Sequence, residues 1–541
     1  MLQTAPNSSW CFPGWRQSQR AKIFAIDILD RKICPDAENI NSEKRVLCYH
    51  IIAMKIYLET LGCQMNRLDS ELITGMLTKA GHEMVDSDRA ADVVLYNTCS
   101  VRDHAEQKVF SRLGMDSKRK NSGKKLIVGV LGCMAQRQGK KLKSRYKAVD
   151  IVCSPGQIYQ LVEMIEKARD EAKIADQKRT AAIENAQSQG KKLLQNQLPS
   201  SKVVIATDPT RTQERDLDSE ARIDVVDATR DPMLTSSPTQ AFVRVARGCN
   251  KFCSYCIVPY VRGPERSREP MQVLEEVKKL ADTGHSEITL VGQTVNSYRH
   301  TAGDKTTTFA DLLELLSPVA GLKRLRFVTS YPTDFGRDIL TQMRDLPNVC
   351  EYIHCPPQSG SDNMLKAMNR RYSRAEYDAW LDLCREIVPN VVLAGDFIVG
   401  FPGETEADHQ ASADLIRRAG FKNCFVFKYS PRPGTNSDKK LADSIPDAIK
   451  KRRNNELLAV QREMGLIHHQ QYIGKTLEVL VTGQSRRSDK QAPTADGKIQ
   501  LMGRTTGDHI VVFDGSPELV HKYANVKIAD ANDLTLFGKI S

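Results

Sequence analysis

The chain has 541 residues, 40% of them apolar and 27% charged, which calls for about three or four domains and excludes a collagenous, wholly disordered or disulfide-knotted chain. Lys plus Arg number 78 against 66 Asp plus Glu, a net charge of +12 with a pI near 9.0, so an anionic partner such as nucleic acid is favoured. No stretch reaches the roughly 20 apolar residues of a membrane span, and no basic start leads into an apolar core. A cytoplasmic protein without membrane attachment is expected, and in that reducing setting its fourteen cysteines point to metal binding or catalysis rather than disulfides.

Residues 1–53 hold Trp10 and Trp15, scattered Cys11, Cys34 and Cys48, and no sustained periodicity. Met54 then opens a clean strand. Two readings stand: Met54 is the natural start and 1–53 a non-native extension, or 1–53 is a targeting segment, since residues 1–26 lack acids and carry Arg16, Arg20 and Lys22. Over 54–171 short apolar runs (KIYLE, DVVLYN, KLIVGV, VDIVC) alternate with amphipathic stretches such as Arg67 to Ala80. That pattern predicts a doubly wound parallel α/β sheet. Between Tyr159 and Phe242 no aromatic residue occurs, and 172–238 reads as a helix end followed by a flexible insertion or linker.

From 239 to 470 apolar runs recur at 241–246, 287–292, 324–330, 350–354, 391–400 and 423–430. Six βα units fall short of the eight of a closed barrel, so a partial (β/α)6 barrel is predicted. A helix over 446–471 starts with the charged run Lys450 to Arg453. Residues 471–541 change to short strands broken by Gly and Asp, as expected of a small antiparallel β-barrel.

GCNKFCSYC sets Cys249, Cys253 and Cys256 in a C-x3-C-x2-C loop directly after the first of the six strands. A structural zinc site takes four ligands, and the next histidine is His285. Three thiolates can instead hold a 4Fe-4S cluster with one iron left open. Upstream, Cys63, Cys99, Cys133 and Cys153 each follow an apolar run. In a parallel sheet all four positions share the carboxyl edge where ligands bind, so periodicity offers four candidates.

The loop 248–256 resembles that of the radical S-adenosylmethionine enzymes, and ETLGCQMN (59–66), YNTCSVRDHAE (96–106) and LGCMAQR (131–137) resemble the N-terminal domain of their methylthiotransferase branch. IVPYVRGPERSR (257–268), LVGQTVNSY (290–298), QSGS (358–361), DFIVGFPGET (396–405), YSPRPGT (429–435) and LMGRTTGDHIVVFDG (501–515) extend the likeness over about 55–170 and 240–541. It implies one 4Fe-4S cluster on Cys63, Cys99 and Cys133, a second on Cys249, Cys253 and Cys256 that binds S-adenosylmethionine, and two molecules of S-adenosylmethionine per turnover. It places Gln293, Gly400, Gly403 and Glu404 in the S-adenosylmethionine region, and assigns Cys153 to packing. The C-terminal barrel resembles the TRAM module, an OB-like RNA-binding domain.

Arg262, Arg266 and Arg268 are candidate phosphate contacts, with a further basic patch at Arg486, Arg487 and Lys490. The likeness implies a monomeric tRNA enzyme that methylthiolates carbon 2 of N(6)-isopentenyladenosine in the anticodon stem-loop. Its expected helpers are an electron donor such as flavodoxin or ferredoxin and a supplier of sulfur or cluster. The alternatives are threonylcarbamoyl-adenosine tRNA or a ribosomal-protein aspartate as acceptor, and a noncatalytic zinc-containing RNA-binding protein. The sequence departs from the family at HCPP, where Cys355 and Pro357 stand in place of expected Leu and Val, leaving Cys355 as a candidate thiol near the site.

Overall fold

The computed structural model describes residues 53–100, 103–189, 199–208, 217–485 and 497–541. The expectations for residues 1–52 and for the patch Arg486, Arg487 and Lys490 lie outside that range. The first unit is a six-stranded sheet in the order Glu83–Met84, Lys55–Leu61, Val93–Thr98, Ile127–Gly132, Ile151–Cys153, Val204–Ala206, with every pairing parallel. The central strands VVLYNT and IVGVLG are buried along their whole length. Helices cover both faces, with Ile73, Leu95, Leu131 and Ile165 in one core and Val94, Val109, Leu113 and Val128 in the other. This is the doubly wound arrangement the apolar runs predict.

The reading of 172–238 as helix end plus flexible linker needs correction. The helix Leu161–Ser188 does continue, but Val204–Ala206 then adds the sixth strand of the sheet and Leu217–Ala228 forms a helix. Low apolar content misleads here because the helix is fixed by ion pairs. Asp227 is 1% exposed and bridges Arg244 at 2.5 Å and Arg247.

Six strands of the second unit follow one another in sequence order: Gln240–Arg244, Glu287–Val291 and Arg324–Phe327 form one parallel sheet, Tyr352–His354, Val392–Val399 and Asn423–Lys428 another. A parallel bridge between Leu325 and Val349 joins them. Among the described residues the first and sixth strands do not pair, so the barrel is open along one side. Alternate residues, such as Val243, Leu290, Phe327, Phe397 and Val399, face the outer helices in one continuous core.

The last unit is a closed barrel in the order Thr476–Gln484, Ile499–Arg504, Ile510–Gly515, Thr535–Ile540, Tyr523–Ala531. The expected all-antiparallel pairing holds at four junctions, while Ile510–Gly515 pairs parallel with Thr535–Ile540. An odd-membered ring of strands cannot alternate throughout, so one parallel junction is obligatory. This barrel docks at the amino ends of the (β/α)6 strands, where Arg324 Nη1 donates to Arg504 O at 2.8 Å and Arg326 Nη1 to Thr506 O at 2.8 Å. Among the described residues no helix is long and apolar enough to cross a membrane.

Candidate active site

Parallel strands fix the first cysteine set. Cys63 caps the helix Gln64–Lys79, Cys99 follows Val93–Thr98, and Cys133 opens the helix Cys133–Gln138, so all three lie at one sheet edge. The loops are tied by asparagines that spacing arguments pass over. Asn66 Nδ2 donates to Asn97 Oδ1 at 3.0 Å, and Asn97 Nδ2 to Asn66 O at 2.9 Å. Gly132 has φ +84°, and a Cβ there would come within 2.5 Å of Asn97 Oδ1, so only glycine lets Cys133 approach the other two. A hydrogen bond from the Cys99 thiol, opposed by burial and aided by the Arg262 charge and nearby backbone N–H groups, brings the Cys63 thiol down to about 6. Burial pushes Cys133 up, against the pull of Arg262. Cys153 is not part of the set: it is fully buried among core side chains and lies 3.6 Å from Ser154 O.

The second set lies in the loop after the first barrel strand. Gly248 has φ +67°, and a Cβ there would sit 1.9 Å from Pro264 O. Cys249 N donates to Gly263 O at 3.1 Å, Ser254 N to Met368 O at 2.9 Å, and Asn369 Nδ2 to Phe252 O at 2.8 Å. Thr294 Oγ1 lies 3.6 Å from Cys249 Sγ. Burial and the neighbouring thiols Cys253 and Cys249 push Cys256 up. A residue without a sequence signal, Arg370, reaches Cys253 Sγ at 3.6 Å with its guanidinium over the rings of Tyr331 and Tyr372.

The two sets share a boundary. Cys133 packs against Ile257, next to Cys256, and Val261, and Arg262 Nε donates to Cys133 Sγ at 3.2 Å while its Nη2 meets Asp69 at 3.0 Å. All six cysteines are free thiols, arranged as two triads backed by cationic and N–H donors. That donor chemistry fits thiolate-held iron–sulfur clusters. Among the described residues no three His, Cys, Asp or Glu side chains gather tightly enough for a single metal ion.

The arginines read as phosphate contacts are mostly otherwise engaged. Arg262 is 6% exposed and held as above; Arg268 is 2% exposed and donates to Arg244 O and Glu276, each at 2.7 Å. Only Arg266 is outward, beside Asp224 at 3.3 Å. The sequence shows the charges but not the carboxylates that the fold sets opposite them.

Glu404 is likewise committed: buried, its carboxylate accepts from Gly400 N and Arg453 Nη1, each at 2.7 Å. Gly400 and Gly403 have φ +70° and +84°, and Gly400 lies under the Lys450 stem. The basic run 450–453 therefore braces the 400–404 turn, as Lys450 Nζ also holds Asp443 at 2.6 Å. Gln293 is half-buried beside Thr294. Cys355 packs in the main core, and its thiol does not belong to either set.

Comparison with known proteins agrees with this division. Residues 55–154 match the uncharacterized protein family UPF0004, 243–416 the radical SAM superfamily and 470–541 the TRAM domain. The chain is 41% identical over 485 residues to the tRNA-2-methylthio-N(6)-dimethylallyladenosine synthase of Rhodopirellula baltica, covering 90% of this chain and 95% of that one. It is 39% identical over 486 residues to the enzyme of the same name from Bacteroides fragilis, with 90% and 95% covered. Among solved structures, the radical S-adenosylmethionine methyltransferase TsrM from Kitasatospora setae is similar at 14% identity and a TM-score of 0.46, covering 72% of this chain and 77% of that one. The chain belongs to the family of the tRNA-2-methylthio-N(6)-dimethylallyladenosine synthases, as a radical S-adenosylmethionine enzyme built on iron–sulfur chemistry.

Proposed function

We propose that the chain adds a methylthio group to carbon 2 of N(6)-isopentenyladenosine at position 37 of tRNA, next to the anticodon. The observation that carries this reading is the meeting of two free-thiol triads across the segment 257–262, in a chain about 40% identical to synthases of that name. Cys249, Cys253 and Cys256 would hold one 4Fe-4S cluster and Cys63, Cys99 and Cys133 the other. When bound, the clusters and two molecules of S-adenosylmethionine supply the 5′-deoxyadenosyl radical, the methyl group and the sulfur. A radical is needed because no side-chain base removes an aromatic C–H proton near neutral pH.

The chain's own groups bind, orient and shield. Arg262 sets a positive charge and an N–H against Cys133, and Arg370 does so against Cys253, offsetting the charge of ligated thiolates. Asn66, Asn97 and Gly132 hold the first triad in register. Glu404 is a positioning residue: through Gly400 N it fixes the 400–404 turn, which includes Gly403 and where the S-adenosylmethionine region is proposed, and Gln293 after the second barrel strand is a further candidate for that region. Arg266, the exposed arginine of its run, is the candidate for meeting an RNA phosphate, in exchange for its contact with Asp224. The remaining partners are the anticodon stem-loop, whose unstacked bases can enter a pocket, a flavodoxin- or ferredoxin-like electron donor and a sulfur or cluster supplier.

Nucleoside mass spectrometry on tRNA from cells with and without the protein tests the acceptor. Methylthio-isopentenyladenosine should vanish without the protein and return with it, and anaerobically purified protein should carry about eight irons. An unchanged nucleoside profile refutes the acceptor.

A further inference from the structure

The inner face of the open barrel is covered in part by the neighbouring units. Met65, Leu68 and Leu72 of the N-terminal unit pack on Phe242, Val291 and Val328, covering the first three strands. At the amino mouth, Arg326 donates to the carbonyls of Thr505 and Thr506, and Lys422 pairs with Asp508 at 3.1 Å. On the sixth strand two aromatic side chains stay exposed. Its Cys424 and Val426 face the outer core, and Phe425 and Phe427 between them are 54% and 42% exposed. Their rings are nearly parallel, at 20°, with centroids 6.3 Å apart.

Register locates this pair. Phe425 lies beside Asp396 and Phe427 beside Ile398 on the fifth strand. Ile398 packs against a small cluster that includes Met364, Phe401 and Tyr255 of the cysteine loop. Asp396 Oδ1 is 3.2 Å from His354 Nε2 on the fourth strand. Exposed aromatic rings thus stand on the same face as a hydrogen-bonding pair, linked through Ile398 to a cluster on which Tyr255 of the cysteine loop also packs.

We propose that Phe425 and Phe427 are the platform on which the acceptor base of the RNA stacks, with the His354–Asp396 pair facing its polar edge. Every base has a π-face, while the apolar substituent on N6 of the proposed acceptor suits Ile398, so the ligand is an unpaired, N6-alkylated adenine. This rests on the acceptor proposed above. The chemistry sets the location: hydrogen removal from carbon 2 requires the base near the cysteine loop, and Phe425 and Phe427 are an exposed aromatic pair on the strand face that carries Ile398, whereas the exposed Tyr260 stands edge-on to Phe252 of the loop itself. Stacking on an aromatic ring contributes enough that its removal costs roughly 5- to 100-fold in affinity.

The test uses the full chain, reconstituted anaerobically, and an anticodon stem-loop carrying isopentenyladenosine. Phe425→Ala with Phe427→Ala should weaken binding by roughly 5- to 100-fold while iron content and cluster spectra stay at wild-type values. Phe427→Tyr, which keeps the ring, should restore most of the affinity. Wild-type protein that methylthiolates the stem-loop while the double alanine variant binds it equally well overturns the platform and leaves the acceptor standing. Wild-type protein that leaves the stem-loop unmodified overturns the acceptor, and the base assigned to the platform with it. Alanine variants that bind RNA normally but lose reduction by a protein electron donor would make the pair a protein-docking surface and also overturn the platform.

Discussion

Arg262 shows how one residue's neighbours decide its role. In RGPERSR it reads as one of three arginines spaced for phosphates; in the fold its guanidinium is buried between Asp69 and Cys133. Nothing in the local sequence announces this, because Asp69 and Cys133 come from another domain. Groups that orient metal ligands typically account for 10- to 100-fold in metal affinity. Arg262→Gln should therefore release iron from the proposed N-terminal cluster roughly 10- to 100-fold faster to a chelator, with Arg262→Lys falling between. The clean measurement is on protein whose Cys249, Cys253 and Cys256 are alanine, so that only one cluster reports; wild-type release from Arg262→Gln would remove the residue from this role. The cysteines themselves were legible because thiols at strand ends and a C-x3-C-x2-C loop form a recognisable spacing. Asn66 and Asn97 were not, since amides that lock loops leave no periodic trace.

At the scale of elements, the strands were readable wherever apolar alternation marks a face, and five barrel strands fall within the runs seen in the sequence while the first begins one residue earlier, at Gln240. The helix Leu217–Ala228 was not, because polarity is a poor guide when buried charges are paired. It brings Asp227 under Arg244, Arg247 and Arg268, and Arg244 in turn holds Asp69 at 2.7 Å. Although burial works against ionisation, these three arginines keep the Asp227 carboxyl well below its ordinary range. Removing one member of a buried pair leaves the others charged and unmatched, typically at a cost of about 3–5 kcal/mol. Asp227→Ala should lower the midpoint of the first denaturant-unfolding transition accordingly and expose the interface between the N-terminal unit and the barrel to proteolysis. A midpoint within about 0.5 kcal/mol of wild type, the range of ordinary surface substitutions, would make this helix a passive connector.

Across the whole molecule the three units meet through side chains far apart in sequence, so their assembly could not be read from any local pattern even though each unit could. The junction with the C-terminal barrel includes a histidine group, His469 and His509 buried and His468 half-buried. His468 Nε2 lies 3.0 Å from His509 Nε2, and His509 Nδ1 lies 3.0 Å from Thr505 Oγ1, on the loop that receives Arg326. Burial, reinforced by His469 and Lys422, brings His468 from its ordinary 6.5 down to about 4, and burial and the same cations hold His509 well below its usual value. Arg326, Arg504 and Asp508 complete the surroundings, with Asp508 brought to about 2 despite burial by Lys422 and the arginines. The folded histidines resist a proton that the unfolded chain accepts. The junction is therefore at full strength above pH 6.5 and loses stability as the pH falls toward about 4, by roughly 3 kcal/mol from His468 alone. Asp508 works in the same direction, but only at lower pH. Thermal unfolding of the full chain between pH 7 and 5 should accordingly show a falling midpoint, and His468→Gln with His509→Gln should flatten that slope even while lowering stability at pH 7. An equal slope in the double variant would mean that the acid sensitivity arises elsewhere and that these histidines serve only to pack the junction.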